Sequence, residues 1–214
     1  VLDLKETAMS AAGLTIYGAH FSRAARCIWL ADELGMAFEH DPIAYLDPAL
    51  KQPPYVTRAP MGKVPAIDDR GFELWESMAI NYYLANQAPN RLWPSDVRSQ
   101  ALIMQWSFWG MAEVEKAGIA AGLHTGILPP EQRNPDILAG GMKTLAKPLS
   151  VLELALADSD YLLGDAFTLA DLNCAGIMWP MHAGKTDLAA WPKAEAWLDR
   201  SLSRPAAKAA FATT

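Results

Sequence analysis

Residues 59 to 77 read Ala59-Pro60-Met61-Gly62-Lys63-Val64-Pro65-Ala66-Ile67-Asp68-Asp69-Arg70-Gly71-Phe72-Glu73-Leu74-Trp75-Glu76-Ser77. This stretch holds a proline-rich loop, a hairpin and a helix start, and it sets the architecture of the first half of the chain. Two short apolar runs, residues 64–67 and 72–75, flank the turn-forming Asp68-Asp69-Arg70-Gly71, which is the pattern of an antiparallel hairpin. Ser77 then opens a helix through Met78, Ile80, Tyr83 and Leu84. A proline at the first position of a strand is a setting where a cis bond is tolerated, because the trans preference of an X-Pro bond is only about 0.5–1 kcal/mol. A cis Val64-Pro65 bond would turn the Val64 amide and carbonyl outward at a sheet edge, where an extended peptide can pair with them.

Upstream, Leu14-Thr15-Ile16-Tyr17 followed by Gly18 suits a short buried strand. Ser22 is placed as the N-cap of a helix over residues 23–34, with Cys27, Ile28, Ala31 and Leu34 on one face and Gly35 as its stop. Residues 37–43 form a second strand, and the four prolines within 47–60 allow only short helical turns. The order strand, helix, strand, irregular segment, hairpin, helix describes a small α/β unit over residues 13–88. Residues 89–97, with two prolines, read as a linker. From residue 98 to 214 the patterns are helical: 100–123, 142–156, 169–179 and 191–202, with a break at 126–135. Residues 1–12 are set aside as a flexible tail.

The composition narrows the class. Of 214 residues 51% are hydrophobic and eight are tryptophan, so global disorder is excluded. Eighteen basic against 24 acidic residues, with no basic run, give no footprint for a nucleic acid. The two cysteines, Cys27 and Cys174, form neither a disulfide framework nor a metal cluster, which suits a reducing, cytoplasmic setting. No apolar stretch reaches the roughly 20 residues of a membrane helix.

Trp75-Glu76-Ser77 places a carboxylate and a hydroxyl at a strand end and a helix N-terminus. Such a site suits an α-amino-acid head: the helix end takes the carboxylate and Glu76 the ammonium. The plainer alternative is that Ser77 is an N-cap and Glu76 a first-turn acid. Further on, Tyr161-Leu162-Leu163-Gly164-Asp165-Ala166-Phe167-Thr168-Leu169-Ala170-Asp171 spaces Thr168 and Asp171 as a capping box, a folding signal.

Taken together, Leu-Thr-Ile-Tyr-Gly with Ser22, the Gly-Lys-Val-Pro loop, Glu76-Ser77 and the 161–171 motif resemble the cytosolic glutathione transferases, from about residue 14 to about residue 205. The serine-type phi-like and theta-like classes are the most similar, and Lys51-Gln52-Pro53 ahead of Pro60, Gly62 and Pro65 follows the phi spacing. The resemblance implies a thioredoxin-like N-terminal domain that binds glutathione, followed by an all-helical C-terminal bundle. It implies a homodimer, with glutathione as co-substrate and neither a metal nor another cofactor. In that pattern Lys51 neutralises the glycyl carboxylate with Lys63 beside it, Val64 after its bond to Pro65 pairs with the cysteinyl backbone, and Glu76 with Ser77 holds the γ-glutamyl end. Ser22 donates its hydroxyl to the sulfur. A free thiol near pKa 8.5 is a few per cent ionised at neutral pH, and a hydrogen bond to an anion, at about 1.5–3 kcal/mol, corresponds to one to two pKa units.

Tyr17 is the competitor for this role, since other classes use a tyrosine at the strand end; with Ser22 at the helix entrance, Tyr17 becomes a wall residue. Cys27 lies on the apolar side of its helix and reads as a small buried hydrophobe. His20, Leu50 and Ala59 depart from the family pattern, and Leu50 removes a glycyl contact. Tyr17, His20, Phe21, Met111, Glu115 and Ile119 are expected around the pocket for a small apolar electrophile. The same scaffold serves isomerase, peroxidase and lyase chemistry, and a non-catalytic binding module is the alternative of another class.

Overall fold

The computed structural model describes residues 13–212, so the expected tail at 1–12 lies outside the described residues. The chain divides into two compact units, one running to Leu84 and regaining the chain from Ala209, the other spanning Ala85–Lys208.

In the first unit a four-stranded sheet has the order β2-β1-β3-β4. Strand β1 (Leu14–Tyr17) pairs in parallel with β2 (Glu39–Asp41) and antiparallel with β3 (Ala66–Asp69), which pairs antiparallel with β4 (Phe72–Trp75). Helices α1 (Ala24–Glu33), α2 (Tyr55–Arg58) and α3 (Ser77–Ala85) complete the unit with a 3-10 turn at Pro48–Lys51. The core gathers Leu14, Ile16, Ile67, Ile28, Trp29, Leu30 and Ile80, all nearly sealed from solvent. Burying such side chains contributes about 1.5–3 kcal/mol each.

The strands differ from the sequence reading in ways with a physical cause. β2 is three residues, shorter than 37–43. β3 starts two residues later than expected because Val64-Pro65, a cis bond, lies ahead of the ladder and Pro65 has no N–H to give it. Asp68 and Asp69 therefore pair with Glu73 and Phe72, and the hairpin closes on Arg70-Gly71, whose φ values of 55 and 88° define a tight two-residue turn. Because β3 is an inner strand, Val64 presents its backbone from a loop ahead of the strand, not from the sheet edge expected.

The second unit is all-helical. Helix α4 (Val97–Trp109) is capped by Asp96, whose carboxylate accepts the Ser99 amide at 2.8 Å, so it begins inside the segment read as linker. It continues through a π-turn (Gly110–Val114), α5 (Glu115–Gly122) and a second π-turn (Leu123–Ile127). Helix α6 (Pro135–Ala155) starts seven residues before 142: Asn134 caps it, and Pro135 sits at the first helical position, where its missing N–H costs nothing. Helix α7 (Leu169–Ala183) runs through Pro180 and past the expected end at 179, and α8 (Pro192–Leu202) is followed by α9 (Pro205–Ala210).

Two close approaches hold this bundle. A Cβ at Gly122 would sit 2.0 Å from the Pro180 carbonyl oxygen, so the backbones of α5 and α7 touch only because the residue is glycine. At the head of α7, Asp171 Oδ2 accepts the Thr168 amide at 2.9 Å and its hydroxyl at 3.0 Å. Oδ1 accepts the Leu162 amide and the Trp197 indole N–H, both at 2.9 Å. The capping box is present as the sequence suggested, and the same carboxylate also ties in α8. No helix among the described residues is long and apolar enough to cross a membrane.

Candidate active site

The loop between α2 and β3 joins the end of β4 and the start of α3 around one open cavity of about 60 Å³. Its lining comes from the loop (Ala59, Met61, Lys63, Val64, Pro65), from β4 and the head of α3 (Trp75, Glu76, Ser77), and from Arg23 just ahead of α1. Five of the residues expected to bind a ligand, Lys63, Val64, Pro65, Glu76 and Ser77, are therefore brought together. Arg23, Ala59, Met61 and Trp75 were not anticipated; each is one to four residues from a residue the sequence singled out, and that proximity was the available signal.

The head of α3 is built unusually. Glu76 has φ of 77°, in the left-handed region that non-glycine residues adopt at a cost of about 1–3 kcal/mol. Its carbonyl accepts the first helical bond, from the Ile80 amide at 2.9 Å, so Glu76 occupies the cap position. Ser77 is left without capping work. Its side chain is 1% exposed, and its hydroxyl oxygen has no hydrogen-bond partner among the described residues. An unsatisfied buried hydroxyl costs about 1–3 kcal/mol.

The loop itself is held from behind. Gly62 takes φ of 55°, and a Cβ there would lie 2.6 Å from the Leu50 carbonyl oxygen and 2.9 Å from Lys51 Nζ. The Lys51 ammonium donates to the Met61 carbonyl at 3.0 Å and the Gly62 carbonyl at 2.9 Å, and Lys51 is not among the residues lining the cavity. Tyr55 supports the next residue, its hydroxyl donating to the Lys63 carbonyl at 2.9 Å.

Ser22 stands one residue before the α1 cap position, half-buried. Its hydroxyl donates to the Ala19 carbonyl at 2.6 Å and accepts the Ala24 amide at 3.1 Å, so it keeps the N-terminal bond expected of it although the helix starts at Ala24. Ser22 does not line the cavity; its neighbour Arg23 does. Tyr17 points to other work: its ring packs edge-on to Tyr55 at 6.1 Å, with the Arg58 guanidinium 4.2 Å from its centre. Burial raises its phenol above the ordinary value, against the pull of Arg58.

His20 Nδ1 lies 2.8 Å from the Ala210 carbonyl, with its ring edge-on to His40 at 4.8 Å, and so joins the C-terminal segment to the first unit. Phe21 is 43% exposed. Met111, Glu115 and Ile119 belong to the second unit: Met111 lies in the first π-turn, half-buried, Glu115 is buried at the start of α5, and Ile119 is half-buried. Cys27 is sealed, and burial pushes its thiol far up. Among the described residues no group of three His, Cys, Asp or Glu side chains is placed to hold a metal ion.

A mixed β2-β1-β3-β4 sheet, with a cis-proline loop and a helix N-terminus around one cavity, is the thioredoxin-like arrangement, here followed by an all-helical unit. Comparison with known proteins agrees with that class. Residues 12–86 match the family model described as glutathione S-transferase, N-terminal domain, and residues 117–205 the corresponding C-terminal domain. Glutathione S-transferase F13 of Arabidopsis thaliana is 32% identical over 90% of this chain and 92% of its own length. The theta-class enzyme of Xanthomonas axonopodis pv. citri, solved with glutathione bound, superposes with a TM-score of 0.85 at 26% identity, covering 94% of this chain and 98% of that one. Glutathione S-transferase I from maize, in complex with an atrazine glutathione conjugate, gives 0.82 at 27% identity, covering 93% and 96%. The chain belongs to the glutathione S-transferase family.

Proposed function

We propose that this transferase binds glutathione across the cavity of the first unit and activates its thiol at Ser22 for attack on a small apolar electrophile. The observation that carries the reading is the Ser77 hydroxyl, buried without a partner among the described residues at the head of a nine-residue helix. A ligand carboxylate there would accept from that hydroxyl and meet the positive end of the helix, while the neighbouring Glu76 takes the ammonium of the same amino-acid head. Val64, outside any strand, offers its amide and carbonyl to the cysteinyl backbone. Lys63 meets the glycyl end; Lys51, held on the Met61 and Gly62 carbonyls, shapes the loop that carries Lys63.

The chemistry follows in two steps. On arrival of the ligand the Ser22 hydroxyl exchanges its Ala19 carbonyl for the sulfur, and the thiol proton leaves to water. The thiolate then forms a bond to the electrophilic carbon, whose leaving group departs with its electron pair. The atrazine glutathione conjugate bound to the maize enzyme supports a heteroaromatic acceptor. In the first unit, Tyr17, His20 and Phe21 are the residues we assign to that acceptor. The protein acts as a cytoplasmic homodimer in this reading, a detoxifying role that suits a broad electrophile range.

The test pairs calorimetric glutathione binding with conjugation of a chloronitroaromatic for wild type, Ser22→Ala and Tyr17→Phe. Wild type binds and turns over. Ser22→Ala keeps binding and loses about 10- to 100-fold in kcat/KM, the worth of one hydrogen bond to an anion. Tyr17→Phe stays within about twofold. Absent glutathione binding in wild type overturns the site, and a Tyr17→Phe loss larger than that of Ser22→Ala overturns the assignment of the hydroxyl.

A further inference from the structure

We infer that Arg23 supplies positive charge to the glutathione sulfur, sharing with Ser22 the stabilisation of the thiolate. The inference rests on the cavity being the glutathione site. Three observations lead to it. First, the part of the α1 entrance that lines the cavity is Arg23, not Ser22. Secondly, the entrance is well used already. The Ser22 hydroxyl is engaged on both sides, at 2.6 Å to Ala19 and 3.1 Å to Ala24, while the Ala25 amide donates to the Ser22 carbonyl and the Arg26 amide to the Arg23 carbonyl. A free helix start offers several unsatisfied N–H groups to an anion, and this one has spent three of them on its own turn.

Thirdly, the charges lining the cavity are Arg23 and Lys63 against Glu76. Bound glutathione has two carboxylates and one ammonium, and ionising its thiol adds a negative charge. Glu76 and Ser77 face the amino-acid head in the proposed pose and Lys63 the glycyl end. Arg23, the residue directly after Ser22, is then the cation on the sulfur side. Its side chain is exposed and its guanidinium stays charged at any working pH, so it acts through a partly solvated medium. In such a medium one nearby charge shifts a thiol by roughly half a unit to one pKa unit, and added salt weakens the effect.

The experiment measures thiolate absorbance of bound glutathione and the pH dependence of kcat/KM for wild type, Arg23→Gln and Arg23→Lys, with calorimetric glutathione affinity and thermal unfolding alongside. Arg23→Gln should raise the apparent pKa of the bound thiol by about half a unit to one unit, cut kcat/KM roughly three- to tenfold near pH 6.5, and approach wild type near pH 9. Arg23→Lys should restore most of the shift, since it keeps the charge. An unchanged pKa in Arg23→Gln, with glutathione still bound and melting unaltered, overturns the inference. So does weaker glutathione binding with no pKa change, which would make Arg23 a carboxylate contact. Failure of wild type to bind glutathione is a different result, and overturns the reading of the cavity itself.

Discussion

Two buried polar side chains stand at the heads of helices, Asp171 at α7 and Ser77 at α3, and the chain treats them in opposite ways. The Asp171 carboxylate is fully buried, and four donors from three parts of the second unit converge on it. Burial holds its carboxyl above the usual carboxylate value, outweighing the downward pull of those donors. Ser77 is equally enclosed but, among the described residues, has no donor or acceptor at its hydroxyl. The closed hydrogen-bond set makes Asp171 a folding element, and the open one at the cavity is what the proposed glutathione site rests on.

The comparison breaks most visibly at Asp171. Asp171→Ala strands the Leu162 and Thr168 amides, the Thr168 hydroxyl and the Trp197 indole N–H, and should lower unfolding stability by about 3–5 kcal/mol in denaturant titration. The fraction that remains folded should bind glutathione normally. Ser77→Ala should do the reverse: the unsatisfied oxygen disappears, so stability holds or rises by up to about 1 kcal/mol, while glutathione affinity falls about tenfold by calorimetry. If both substitutions cost stability alike, Ser77 is a structural group and the contrast fails.

The same contrast explains what was legible in the sequence. The capping box at Thr168 and Asp171 is local, three residues apart, and could be read directly; the arrival of Trp197 on the same carboxylate, 26 residues further on, could not. Glu76-Ser77 was legible as the start of a helix, but which residue caps α3 depends on a left-handed φ that no residue type at that position announces. Lys51 was read as a ligand cation because its spacing is right, yet its ammonium lies on two carbonyls brought close by Gly62. Arg23 gave no pattern at all: a single exposed arginine after a capping serine looks like any solvated residue. In the helical unit, Pro135 starts a helix inside a stretch whose prolines read as a break, and the π-turns at Gly110–Val114 and Leu123–Ile127 each add a residue to a turn, which no residue type there announces.

Cys27 sharpens the contrast further, because it satisfies the other half of Ser77. Its thiol lies 3.8 Å from the Ser77 carbonyl, as a weak donor from α1, so the backbone oxygen of Ser77 has a partner while the side-chain oxygen does not. Full burial raises the Cys27 pKa, with the nearby Arg26 pulling the other way and losing. The folded protein therefore keeps this proton at pH values where the unfolded chain releases it, above about 8.5. With fewer protons on the unfolded state, stability is whole below that pH and falls above it, by about 1.4 kcal/mol per unit for this one group. The Tyr17 and Tyr55 phenols, raised by burial, titrate in the same direction, so the diagnostic quantity is a difference: Cys27→Ala should flatten the wild-type slope between pH 8.5 and 10 by about that amount. Glutathione affinity at neutral pH should stay within about threefold, because a weak S–H bond to the Ser77 carbonyl is lost and nothing at its hydroxyl is touched. An unchanged slope would mean that the thiol ionises in the folded state, and a large loss of affinity would mean that Ser77 is positioned through its backbone.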